Sequence, residues 1–216
     1  MALGIWFFDY QPVINAILLG QYDRLLKKTL AQVETRLDAK LLQLTCVYGK
    51  LTPSLLFSTR NEIHLCDIAT GQLLLARCKT LHFADRCHLA RMNAESLAYR
   101  NDAFDQVIVF FLFHEMPTAA RHRAYAEIAR VVRPDGSVLI TEYAATPQRH
   151  WLYRFVPFHY LLGHLEPFLP RFWQEDVAEK LNDALRQNGK ALNGKPGVEH
   201  CFASFYRIMR FNIAAR

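Results

Sequence analysis

The chain has 216 residues, 51% of them hydrophobic, and a formal charge of +6, enough apolar content for one good core with no Pro/Gly/Ser-rich linker to divide it. Its cysteines, Cys46, Cys66, Cys78, Cys87 and Cys201, are odd in number and lack Cys-x-x-Cys spacing, which argues against a disulfide framework or a zinc site and fits a reducing cytoplasm. The positive charge comes without a recognised basic nucleic-acid motif, so no nucleic-acid partner is expected; the start lacks the basic and apolar regions of a signal peptide, and no run reaches the roughly 20 apolar residues of a spanning helix.

Residues 5 to 20 are aromatic and aliphatic, and Tyr22 to Leu37 reads as a helix with Leu25, Leu26, Leu30, Val33 and Leu37 at three- and four-residue steps. Two placements stand for this segment: a cap over a pocket, or a first helix packed on a sheet. Leu41 to Val47 is a short apolar run that stops at Tyr48-Gly49, the pattern of a buried strand, and Thr52 and Pro53 suit the N-cap and first position of a following helix. Such a strand, turn and helix presents backbone N–H groups to a polar ligand. The dinucleotide pattern Gly-x-Gly-x-x-Gly is absent, so nothing here supports NAD or FAD. A second apolar run, Glu62 to Cys66, ends at Asp67, placed to accept hydrogen bonds from ribose hydroxyls at the sheet edge.

Gly71 to Lys79 reads as a helix with Leu73, Leu74 and Ala76 as its apolar side, and His88 to Met92 as the next strand. Asn93 follows; its amide suits an adenine edge, and equally suits capping a turn. Asn101-Asp102 marks a turn, and Phe104 to Phe113 is apolar enough for a strand covered on both faces, with Pro117 preventing its continuation. His114 and Glu115 therefore emerge at the carboxyl edge of the sheet, where open α/β sheets bind ligands. Thr118 to Val132 is a helix with Ala120, Ala124, Ile128 and Val131 inward and Arg121, His122 and Arg123 outward. Arg133 to Gly136 has the chemistry of a turn, and Ser137 to Tyr143 that of a strand delivering Glu142 and Tyr143 to the same edge.

This alternation selects an α/β fold, a Rossmann-like, doubly wound and mostly parallel sheet. Beyond it, His150 to Trp173 mixes rings, histidines and arginines with prolines. That stretch can wall a substrate pocket and rest on a membrane surface, or complete the second face of the sheet. Residues 175 to 187 look helical, 188 to 197 form a Gly/Asn/Lys loop, and Cys201 to Phe211 alternates as a late antiparallel strand.

Asp67, Asn93-Ala94-Glu95-Ser96-Leu97, Asn101-Asp102-Ala103-Phe104-Asp105 and Ala129-Arg130-Val131-Val132-Arg133-Pro134-Asp135-Gly136, in this order, resemble the class I S-adenosylmethionine-dependent methyltransferases, in particular the branch that methylates ubiquinone and menaquinone. The family's acid-x-Gly-x-Gly-x-Gly loop reads Gln43, Thr45, Val47 and Gly49 here. That variant loop, Cys46 to Pro53, with Phe110 to Pro117, Leu165-Glu166-Pro167-Phe168 and Trp173, resembles the narrower group of rhodoquinone-biosynthesis enzymes.

The resemblance implies one methyltransferase-like domain, with a helical N-terminal cap over 1–38, a cofactor-binding core over 39–145, and an aromatic C-terminal insertion and closing strand over 146–216. It implies S-adenosylmethionine held by Cys46, Val47, Tyr48, Gly49, Asp67, Ile68, Asn93, Ala94 and Phe110. It further implies catalysis by Tyr48, His114 and Glu115, and Mn2+ on Glu115 and Glu142. The substrate it implies is a ubiquinone-like lipophilic molecule whose methoxy group is replaced by an amino group from the cofactor, handled in the cytoplasm at the inner face of the membrane. Conventional methyl transfer to a small lipophilic acceptor, and a non-catalytic regulatory fold, are the alternatives. At single residues two readings also stand: Tyr48 positions or deprotonates an amine, or packs and fixes its loop, and His114 acts as a base, or caps the helix near Thr118.

Overall fold

The computed structural model describes residues 9–46, 48–144 and 150–216, apart from the side chain of His159. The cofactor candidate Val47, the start of the aromatic N-terminal run and the boundary drawn at 145/146 lie outside these residues. Five parallel strands form the core: β1 (Lys40–Leu44), β2 (Glu62–Asp67), β3 (Cys87–Arg91), β4 (Phe104–Phe110) and β5 (Val132–Tyr143). The sheet is completed by β6 (Lys190–Leu192), β7 (Gly197–Cys201) and β8 (Tyr206–Ala215). The spatial order is β3-β2-β1-β4-β5-β8-β6, with β8 antiparallel to β5 and both β6 and β7 antiparallel to β8. The order reverses between β1 and β4, which opens a crevice at the carboxyl ends of those strands. Every residue of β4 is buried, as its near-continuous apolar run requires.

Among the described residues, two helices precede the sheet, α1 (Gln11–Ile17) and α2 (Tyr22–Leu30), and three connect its parallel strands, α3 (Leu51–Ser58), α4 (Thr70–Thr80) and α5 (Thr118–Val131). After β5 come α6 (Trp151–Arg154), α7 (Val156–Leu165), α8 (Leu169–Phe172) and α9 (Val177–Gln187). Asp176 caps α9 by accepting from the N–H groups of Ala178 and Glu179.

Several expectations are corrected by tertiary contacts. The N-terminal helix ends at Leu30 and Leu37 is exposed, because the following chain is drawn into other bonds: Glu34 N–H donates to Gln106 Oε1 at 2.9 Å and Lys40 N–H to Asp105 Oδ2 at 2.8 Å. Helix α3 starts at Leu51, so Thr52 and Pro53 lie inside its first turn and Thr52 caps nothing. The donors ahead of it are taken by the N-terminal segment instead, Gly49 N–H by Asp9 Oδ1 at 2.7 Å and Lys50 N–H by the Tyr22 hydroxyl at 2.6 Å. In α4 the buried pair is Leu75 and Ala76, while Leu74 is exposed. The turn at Arg133 to Gly136 is a bulge inside β5: Phe104 pairs with Val132 and Gln106 with Ser137, and Asp135 takes φ +66°. The expected 188–197 loop contains β6, held because buried Lys190 donates to the carbonyls of Ala129 and Val132 at 2.8 and 2.5 Å. The late strand is Tyr206–Ala215, and Cys201 ends β7 before a turn in which Phe202, Ala203 and Ser204 all have positive φ.

The largest correction is Arg121. It is fully buried, with Nε and an Nη atom on the Glu175 carboxylate at 2.9–3.1 Å and the other Nη on the carbonyls of Phe113 and Met116. It therefore ties α5 to the turn that follows β4. Removing it leaves Glu175, itself 6% exposed, as an uncompensated buried charge. Arg121→Ala is expected to cost about 3–5 kcal/mol in urea denaturation, and Arg121→Met combined with Glu175→Leu to recover much of that loss.

Candidate active site

The cavity at the carboxyl rim has a volume of about 530 Å³ and is bounded by the N-terminal helices, the loop after β1, the end of β2 and the turn after β4. That size suits a small organic ligand. Ile14, Ile17, Leu18 and Tyr22 close one side, which is the cap placement of the N-terminal segment. Asp9 also pairs with Lys79, whose ammonium donates to the Gly49 carbonyl at 2.8 Å, so the cap is tied to the loop by charge as well as packing.

The loop after β1 departs from a glycine-rich cradle in a way the backbone records. Thr45 takes φ +73°, a conformation costly for a β-branched residue, so it keeps a turn that glycine would adopt freely. Gln43 is fully buried and its amide donates to the Thr45 carbonyl at 3.0 Å, supporting the turn rather than facing a ligand. Gly49 also has positive φ, and a side chain there would run into the Tyr22 hydroxyl.

Asp67 ends β2 on the cavity wall, 7% exposed. Its Oδ2 accepts from Cys46 N–H and its Oδ1 from Ala69 N–H, both at 2.7 Å, which joins the loops after β1 and β2. Burial pushes its carboxyl above the usual range against these three-sided backbone donors, among them Ala69, Cys46 and Ile68. Each oxygen retains acceptor capacity toward the cavity.

On the opposite wall, Phe111 at φ +54° turns the chain out of β4 into a single 3₁₀ turn, Phe113–Glu115. Glu142, wholly buried on β5, accepts from Phe113 N–H at 2.7 Å and Tyr143 N–H at 3.0 Å, and its two oxygens lie 3.1 and 3.0 Å from His114 Nδ1. An ionised carboxylate only accepts, so Nδ1 carries a proton and Nε2 faces outward, 4.0 Å from Glu115 and 3.7 Å from Glu166. Burial opposes charge on this ring, but the charge and hydrogen bond of Glu142, helped by Glu166 and Glu115, outweigh it and raise His114 to about 9. The ring is thus an imidazolium at neutral pH.

Cys46, Tyr48, Asp67, Ile68, Phe110, His114 and Glu115 are brought together around the cavity. Asn93 and Ala94 are not among its lining residues: Ala94 is buried in the core, and Asn93 Oδ1 accepts from Glu95 N–H at 3.0 Å, the turn-capping role. Glu142 does not face the cavity either; its oxygens are committed to His114 and backbone donors, so it orients the histidine and is not placed as a metal ligand. Tyr48 shares a hydrogen bond with Gln72, and burial followed by the Glu115 charge holds its phenol above the ordinary value. A protonated phenol positions a ligand and does not remove a proton from one. Burial, then the like charge of Glu166 and Glu142, also raises Glu115, with His114 opposing; Glu166 is raised by burial as well.

Tyr143 reaches the cavity as its place at the strand end predicts, whereas Glu166 and Gln72 were not singled out from sequence. The isolated acid within the aromatic stretch was the available signal for Glu166.

Residues 41–136 match the model of the methyltransferase domain family. The strand order, the carboxyl-rim cavity and this match coincide. The core of the chain is a class I methyltransferase fold.

Among relatives, this core is similar to the demethylmenaquinone methyltransferase of Lactiplantibacillus plantarum, 31% identical over 138 residues, covering 62% of this chain and 57% of that protein. It is also similar to the ubiquinone/menaquinone biosynthesis C-methyltransferase UbiE of Ralstonia pickettii, 30% identical over 135 residues, covering 61% and 55%. The matched stretch thus spans little more than half the length of these relatives. In three dimensions it is similar to a putative S-adenosyl-L-methionine-dependent methyltransferase from Methanococcus maripaludis, TM-score 0.63 at 11% identity, covering 100% of this chain and 94% of that one.

The His114–Glu142 pair gives the fold a pH signature. Because the folded state raises the imidazole from its ordinary 6.5 to about 9, the pair's contribution to stability is complete below about pH 6.5 and is lost as pH rises through about 9. Unfolding free energies across that window are expected to fall with pH in the native chain, and to show a flatter dependence in Glu142→Gln.

Proposed function

We propose that this chain is an S-adenosylmethionine-dependent transferase acting on a lipophilic quinone-type acceptor, and that it replaces a ring methoxy group by an amino group. The observation that carries this reading is the site's composition: a nucleoside-sized cavity with Asp67 on one wall and, on the other, an imidazolium flanked by carboxylates. The adenosyl half of the cofactor fits the residues present, with Asp67 for the ribose hydroxyls and Ile68, Ala69 and Phe110 for apolar contact. The methionine end would meet Cys46 and Tyr48, whereas Gly49 does not line the cavity and gives its N–H to Asp9, in a loop that holds its own donors with Asp9 and Tyr22 in place of a glycine cradle.

When bound, the cofactor would supply either the methyl group of its sulfonium or its α-amino nitrogen. In the second case the ring would lose methanol, water would release the nitrogen from the cofactor's α-carbon as a keto acid, and the quinone ring would take the two electrons as its quinol. The chain's residues then have distinct tasks. Tyr48, a neutral phenol, positions the amine. Glu115, exposed at the mouth, and Glu166 are carboxylates held above their ordinary value and can accept a proton. His114, held by Glu142, presents a charged Nε2–H to an acceptor oxygen on which negative charge develops. Manganese would need Glu115 and Glu166 as hard oxygen donors, but the His114 imidazolium already lies 4.0 and 3.7 Å from them, so the residues present do not fit a dication and no step is routed through one.

The acceptor's lipophilicity is supported by the surface beside the cavity. On α6 and α7, Trp151, Phe155, Val156, Tyr160, Leu161 and Leu165 are between 55% and 75% exposed, and Glu166 of the cavity follows directly. Rings and aliphatic side chains next to Arg154 and Arg171 suit the boundary layer of a membrane. No helix among the described residues is long and apolar enough to cross one.

Ordinary C-methylation of a quinone precursor is the second reading, favoured by the activities named for the two bacterial relatives. Expression in a ubiquinone-producing host, followed by quinone extraction and mass spectrometry, separates them. Exchange of OCH3 for NH2 lowers the quinone mass by 15 Da and methylation raises it by 14 Da, both roughly as nominal masses of the groups exchanged. An unchanged quinone pool together with no calorimetric binding of S-adenosylmethionine would count against both. Tyr48→Phe is expected to lower kcat by roughly tenfold or more if its hydroxyl positions the amine; unchanged turnover would remove Tyr48 from the reaction.

A further inference from the structure

At the opposite, amino-terminal end of the sheet lies a second group of chemically capable side chains. Glu62 and His64 are two residues apart on β2 and therefore project from the same face. His88 on β3 is the in-register partner of His64, and the two rings lie 4.8 Å apart. Glu62 Oε1 is 3.0 Å from His88 Nε2, and one donor atom from each of the three residues falls within 4.8 Å of the others. Among the described residues, this is the only set of three metal-capable side chains so gathered.

We propose that Glu62, His64 and His88 form a binding site for one divalent transition-metal ion of the zinc class, clamping the edge strand β3 to β2. Two imidazoles and one carboxylate are the donor set that such ions take, leaving further positions open for water. Two donors about 2.1 Å from one tetrahedral ion are about 3.4 Å apart, so the 3.0 Å between Glu62 Oε1 and His88 Nε2 need open by only a few tenths of an ångström. Neither strand need move much, because the register places both histidines side by side. Tyr99 and Phe104 pack edge-on against His64 at 5.5 and 5.2 Å, which restricts the plane of its ring. The side chains of His88 and Glu62 are about two-fifths exposed, so an ion can reach them from solvent.

One competitor is present. Lys40 Nζ lies 3.3 Å from Glu62 Oε2, but Lys40 is on the solvent side and pairs with the other carboxylate oxygen, leaving Oε1 toward the histidines. The site is separate from the carboxyl-rim cavity, since Asp67 ends the same strand at the far edge. It holds whether or not the proposed transfer reaction is correct.

The test is titration of the full, chelator-stripped chain with Zn2+ by calorimetry, and with Co2+ by visible absorption, alongside thermal melting. One equivalent is expected to bind and to raise the melting temperature. His88→Gln and His64→Gln are expected to weaken zinc binding by roughly tenfold or more each and to abolish the gain. Glu62→Gln, the mildest change, should weaken binding while its metal-free melt stays close to the native one. Equal zinc affinity in the native chain and in His88→Gln, as binding at the exposed Cys78 would give, overturns the proposal, as does no binding to the native chain.

Discussion

A single buried carboxylate organises the reactive wall of this protein. Glu142 sits at the end of β5 with no exposed surface, a position in which an uncompensated charge would be strongly destabilising. Its oxygens are satisfied by Phe113 N–H, Tyr143 N–H and His114 Nδ1, so the charge is neutralised by the ring it holds. The chain after β4 must therefore turn sharply at Phe111 to bring those donors into place. Arg121 secures the same turn from below by binding the Phe113 and Met116 carbonyls while meeting Glu175. The imidazolium edge that faces the cavity follows from this packing.

The other wall solves a different problem. A strand that runs into a helix leaves backbone donors that need partners. Where a glycine-rich loop would leave them for a ligand, this chain gives Gly49 and Lys50 partners from its own N-terminal segment, Asp9 and Tyr22. Asp67 then spans from that loop to the start of α4. The cavity consequently has a closed, apolar cap side and a charged, partly open side between His114, Glu115 and Glu166. The exposed apolar side chains of α6 and α7 lead in the chain directly to Glu166 on that side.

Local pattern was enough for the order of strands and helices, because alternation and apolar runs are properties of neighbouring residues. It was also enough to send Asp67, His114, Glu115 and Glu142 to one rim, since a parallel sheet puts every strand's carboxyl end there. It was not enough for Arg121: three residues before Ala124 and seven before Ile128 it shares their face of the helix, yet a charged residue type reads as outward, and its partner Glu175 lies 54 residues later. Nor could it separate Glu142 facing a ligand from Glu142 facing His114, because both readings put the same residue at the same strand end.

What the sequence determined by itself was therefore the fold class, the edge at which the cavity forms and most of the side chains gathered there. The tertiary structure alone decided which of those side chains face the cavity, that Glu166 joins them from a distant helix end, that Asn93 closes a turn, and that His64 and His88 stand side by side. The reason is physical. Periodicity reports burial within one element, whereas hydrogen-bond partners, charge pairing and strand register depend on segments that meet only when the chain has folded.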